Sequence, residues 1–157
     1  MLEQLKELLE MQRVLDENIL KEKGITEYPL ENMKIALFVE LGELMNEFPT
    51  KFKHWKSTAV DNREKGLEEY VDCLHFALSI ANHTDHKLNE NISKYDYKDY
   101  VKNDKYTEIV SHLITREDLI VFTVMCLTYK LGFEFDDVYE AYKKKNAVNY
   151  ERLRNGY

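Results

Sequence analysis

Proline and glycine are scarce in this chain, at 2 and 5 of 157 residues. That scarcity excludes folds built on many tight turns, because proline pre-sets turn geometry and glycine supplies its left-handed backbone. Long helices are favoured instead. Cysteine is nearly absent too. Cys73 and Cys126 each lie inside an apolar helical run, so they read as reduced core thiols rather than a disulfide framework or a metal site. No uninterrupted apolar run nears the roughly 20 residues needed to cross a bilayer. The N-terminal "MLEQLKELLE" is charged throughout and lacks the apolar stretch of a signal peptide. Positive charge is in deficit, with a formal net charge of -7. This argues against general nucleic-acid binding, in which cationic side chains displace counterions from phosphates. The expectation is a cytoplasmic, helical protein with neither a membrane nor a nucleic-acid partner.

What is present is a 44% hydrophobic content, enough for a single domain over residues 1–157 with its own core. Leu2, Leu5, Leu8, Leu9, Leu15 and Ile19 recur at helical spacing, and Gly24 is a natural stop. Pro29 precedes a second helix predicted over 31–48, which Pro49 closes. "TKFKHWKSTAVDN" reads as a loop with one helical turn. A third helix is predicted over 63–83. The polar stretch 84–107, with tyrosines at 95, 97, 100 and 106, lacks an apolar stripe and reads as a flexible insertion or lid. A short helix near 108–113 follows, and then Thr115, with Asp118 three residues on, reads as an N-cap. The helix it would open, "REDLIVFTVMCLTYKLG", is apolar on most sides. A last helix runs from about Asp136 towards Gly156. The fold class is all-α: a bundle with a four-helix core and extra helices.

Two features carry chemistry. Glu40 and Glu43 sit three apart within the apolar "ALFVELGELMNEF", and Glu69 and Asp72 repeat that spacing within "EEYVDCLHF". Each pair projects from one helix face. Two antiparallel helices could bring both pairs together, where four carboxylates would repel and be desolvated unless divalent cations balance them. Oxygen ligands on rigid helices suit Mg²⁺, with Mn²⁺ as a substitute. Gly42 would allow another group to pack closely beside the site. The second feature is the C-terminal "KKKNAVNYERLRNGY", in which Lys145, Asn149 and Arg152 share a helical face with Asn146 beside them. Such a face could hold a compact polyanion. Solvated acids and cations that merely complement a helix end account for the same residues. The spacing alone leaves both readings open. His75 follows Asp72 by three, but a carboxylate-bridged di-iron site needs a second acid-x-x-His pair, and none exists. His75 therefore reads as a core or supporting residue.

Taken in order, "MQRVLDE", "VELGELMNEF", "FKHWK" followed by "EEYVDCLHF", and "KKNAVNYERLRNGY" resemble the motifs of the dimeric, all-α dUTPases, relatives of the MazG-like nucleotide pyrophosphohydrolases. The resemblance implies hydrolysis of dUTP to dUMP and pyrophosphate by water attack at the α-phosphorus. It implies that Glu40, Glu43, Glu69 and Asp72 hold Mg²⁺, with Glu43 orienting or deprotonating the water. Lys145, Asn149 and Arg152 would bind phosphates, while Gln12, Asp16, Trp55 and Asn146 would surround the nucleoside. A homodimer is implied as well. Asp16 stands where the family often has asparagine, and a carboxylate cannot donate to a uracil carbonyl. An all-α pyrophosphohydrolase acting on other or many nucleotides, or a helical interaction module, would keep the same fold.

Overall fold

The computed structural model describes residues 1–86, 94–102 and 105–156, apart from the side chains of residues 94 and 95. These form seven α-helices and no strand. The α1 helix (Leu2–Lys23) buries Leu5, Leu8, Leu9, Gln12, Leu15 and Asp16 along one stripe. Gly24 closes it in the left-handed conformation at φ 66°, and the Ile25 N–H reaches back to the Leu20 carbonyl at 2.9 Å.

The next two helices, α2 (Leu30–Glu47) and α3 (Arg63–Asn82), are antiparallel neighbours. The Asn62 N–H donates to the Glu47 carbonyl at 2.8 Å, which fastens the end of one to the start of the other. The Asn62 side chain also caps α3 by accepting from the Lys65 N–H at 3.2 Å. Gly66 permits the close approach here. A Cβ at that position would lie 2.5 Å from Cε2 of Phe48.

Four further helices complete the molecule: α4 (Lys94–Tyr100), α5 (Tyr106–Thr115), α6 (Ile120–Lys130) and α7 (Phe135–Arg154). The central element is α3, which packs against α1, α2, α6 and α7. Its residues Tyr70, Val71, Cys73, Leu74, Ala77, Leu78, Ile80 and Ala81 are all buried. Tyr70 meets the polar cost of that burial by donating to the Val124 carbonyl at 2.9 Å and bonding the Thr128 hydroxyl. Both cysteines are buried and neither forms a disulfide.

Two expectations change. Thr115 does not cap α6. Its hydroxyl donates to the Ser111 carbonyl at 2.7 Å, inside α5, and a 3₁₀ turn at Glu117–Leu119 precedes α6 instead. The described part of 84–107 also reaches the core. Tyr97 and Val101 are buried, with the Tyr97 ring 5.4 Å from that of Phe122 and 6.0 Å from that of Tyr129. Tyr100 is exposed and Tyr106 half-buried. The lid expected of residues 87–93, 103 and 104 lies outside the described residues, as do the Tyr95 side chain and Tyr157. Among the described residues no helix is long and apolar enough to cross a membrane.

Candidate active site

Because α2 and α3 run antiparallel side by side, their acid pairs face a common space. One carboxylate oxygen from each of Glu40, Glu43 and Glu69 lies within 4.8 Å of the others. Asp72 is engaged differently: the Lys145 ammonium, reaching from α7, donates to its Oδ2 at 2.7 Å. Three of the four acids thus converge, and the fourth holds a cation of the chain's own.

The electrostatics follow from that crowding. Burial, then the negative charges of Asp72, Glu43 and Glu69, push the Glu40 carboxyl up to about 7, with Lys145 offsetting part of the rise. Burial and the charge of Asp72 raise Glu69 as well, against the pull of Lys65. Both rises mark crowded negative charge that Lys145 and Lys65 offset only in part. Hard oxygen donors on two rigid helices are the donor set that Mg²⁺ or Mn²⁺ accepts. The residues therefore fit a divalent cation.

Beside the acids opens a cavity of about 360 Å³, a size suited to a small-molecule ligand. Glu40 and Asp72 line it, together with Lys145, Asn149 and Arg152 of α7 and Gln12 and Asp16 of α1. The family model for dUTPase matches residues 4–157, essentially the whole chain. The chain belongs to the all-α dUTPase family. The enzyme is accordingly a dUTP diphosphatase. Comparison with curated proteins finds no match.

The dUTPase cavity has a buried polar wall. Gln12 Nε2 donates to Asp16 Oδ1 at 2.7 Å, and Tyr142 donates to Gln12 Oε1 at 2.6 Å. His75 Nδ1 meets the same Oε1 at 2.7 Å, and its ring stacks on Tyr142 with centroids 4.0 Å apart. Burial, helped by the Lys145 charge, drives the His75 ring down to about 3. Desolvation raises Asp16. Among the described residues, two buried polar atoms of this wall, Asp16 Oδ2 and His75 Nε2, have no hydrogen-bond partner, and neither has Asn146 Nδ2 nearby on α7.

Not every candidate residue reaches the cavity. Asn146 is buried but is not among the lining residues. Trp55 sits in the loop between α2 and α3, 69% exposed, edge-on to His54 and Phe52, and does not line the cavity. Gly42 admits no close neighbour, since a Cβ there would meet nothing within 4 Å. It faces a different, apolar groove with Phe38 and Met45. His75, expected as a core or supporting residue, lines the cavity, as do Phe76, Met33, Ile19 and Lys23, to which the sequence assigned no site role. His75 and Phe76 could have been found, because they directly continue the Glu69–Asp72 motif. Met33 has no such signal.

Proposed function

We propose that the protein hydrolyses dUTP to dUMP and pyrophosphate with Mg²⁺ bound by Glu40, Glu43, Glu69 and Asp72. The observation that carries this reading is the convergence of the α2 and α3 carboxylates beside a cavity lined by Lys145, Asn149 and Arg152. A cation bound there would neutralise phosphate charge and acidify water near the α-phosphorus. Glu43, the most exposed of the three converging acids, takes the proton of the attacking water. The new bond forms between that water oxygen and the α-phosphorus, and the bond to the bridging oxygen breaks, with both electrons leaving on pyrophosphate. Lys145, Asn149 and Arg152 donate to phosphate oxygens and hold the chain of phosphates for in-line attack. Lys145 exchanges Asp72 for a phosphate as it does so. Gln12 and Asp16 line the part of the cavity that we assign to the base.

A second reading, a wider range of bases, has one observation in its favour. Asp16 Oδ2 is a buried acceptor, with the His83 ring at 3.9 Å and the Ser79 hydroxyl nearby. An acceptor can serve uracil N3–H or a cytosine amine equally. Pyrophosphate release across a panel of nucleoside triphosphates separates the readings. Release confined to dUTP supports the first, and comparable release from dCTP supports the second. With dUTP, Glu40→Gln, Glu43→Gln and Glu69→Gln should each lower kcat by at least about 100-fold. Full activity in all three, or with EDTA present, removes the metal reading.

The protein acts as a homodimer in the cytoplasm, where Cys73 and Cys126 stay reduced. Support for the dimer comes from α2, whose residues Ile35, Phe38 and Val39 are exposed. They adjoin an apolar groove of about 750 Å³ bordered by Phe38, Met45, Tyr106, Val110 and Ile114. A second copy of the chain is the occupant that this face fits.

A further inference from the structure

We propose that His75 is a positioning residue for the sugar, accepting a hydrogen bond at Nε2 from the 3′-hydroxyl of the deoxyribose. The inference starts from the tautomer. Gln12 Nε2 is committed to the Asp16 carboxylate, which can only accept. That fixes the amide so that its oxygen faces Tyr142 and His75. A carbonyl oxygen cannot donate, so His75 Nδ1 must carry the proton. Nε2 is then left with a lone pair, buried and without a hydrogen-bond partner among the described residues, on a ring that lines the cavity. The ring is held on two sides, by stacking on Tyr142 and by the bond to Gln12. It stays neutral at physiological pH, so the lone pair is always available.

A buried acceptor left unmatched costs stability, and a ligand that brings a donor recovers it. A neutral-pH dUTP molecule has two uncharged donors, uracil N3–H and the 3′-hydroxyl. The wall offers two orphan acceptors, Asp16 Oδ2 on α1 and His75 Nε2 on α3. His75 stands one helical turn from Asp72, which pairs with the phosphate-binding candidate Lys145. The sugar lies between phosphates and base in the substrate, so His75 matches the hydroxyl and Asp16 matches the base.

This rests on the reading that dUTP occupies this cavity, and the two can fail separately. Occupancy fails if Lys145→Met and Arg152→Met both leave KM and kcat for dUTP unchanged. The histidine contact is read from kcat/KM for dUTP divided by that for 2′,3′-dideoxyuridine triphosphate, with Mg²⁺ present. In the wild-type protein the ratio should be roughly ten, as for one neutral hydrogen bond. In His75→Asn the amide can keep the bond to Gln12 but offers nothing at Nε2, so the ratio should collapse towards one. His75→Gln, whose oxygen can reach the Nε2 position, should restore most of it. If H75N does not fold, His75→Phe, which retains the stack on Tyr142, reads the same ratio. A wild-type ratio near one, or an equal loss on both nucleotides in the variant, overturns the proposal.

Discussion

Ionising Glu40 works against the metal-free fold, and the sign of the effect can be worked out. Its carboxyl is raised from the model-compound value of 4.5 to about 7 in the folded chain. Between those two values the native state therefore binds more protons than the unfolded state, so this group's contribution to stability is present at low pH and falls as pH rises through 7. His75 acts in the opposite sense. It is depressed from 6.5 to about 3, so its contribution is full above 6.5 and is lost as pH falls towards 3. Only a difference between wild type and variant isolates Glu40. In EDTA, Glu40→Gln should gain on the order of 1 kcal/mol relative to wild type between pH 5 and pH 8, after allowing for its partial solvent exposure. Urea melts at the two pH values measure this. A pH-independent difference would mean that Glu40 is not held protonated. At this scale the sequence was informative about types and poor about pairings. The acid spacing marked Glu40, Glu43, Glu69 and Asp72. Nothing in spacing says that Asp72 turns to Lys145 across 73 residues, because that depends on how α3 and α7 pack.

Among the elements, the α2–α3 pair is fixed by a contact smaller than any side chain. Gly66→Ala would drive a methyl into the Phe48 ring, and that ring is backed by Phe133 with centroids 6.0 Å apart. The substitution should cost about 1–3 kcal/mol by overpacking. Phe48→Leu in the same chain should recover part of that cost, giving a non-zero coupling in a double-mutant cycle from denaturant melts. Additive effects would place the strain elsewhere. The long helices were legible because their apolar residues repeat with helical period and their ends carry Gly24, Pro49 and Gly132. Of the shorter ones, α5 was legible near 108–113, whereas α4 was not. In α4 the buried anchors are Tyr97, with Val101 just beyond its end, too few to form a stripe in a polar segment. Thr115 has the chemistry of a cap, but an i−4 carbonyl of its own helix satisfies its hydroxyl first.

For the molecule as a whole, α2 presents three faces. Leu37, Leu41 and Leu44 enter the core, Glu40 and Glu43 face α3, and Ile35, Phe38 and Val39 face outward. The third face is what a two-sided amphipathic pattern cannot express, and it explains why this helix looks apolar almost throughout its sequence. Phe38→Glu should convert a dimer into a monomer, read by sedimentation at micromolar concentration. The core and the carboxylate cluster should be untouched, because Phe38 is 62% exposed. A wild-type chain that sediments as a monomer would assign that face to another partner.

With the proposed metal and phosphate roles, the Lys145–Asp72 bond would set an order of events. In the resting molecule the ammonium sits where a dication would seek its fourth carboxylate, so a bare ion meets competition from within. On the proposed reading, arrival of a triphosphate would offer the lysine a richer anion and vacate that seat. The ion and the nucleotide would then settle best as a pair, and the empty enzyme would have little tendency to hoard metal between turnovers.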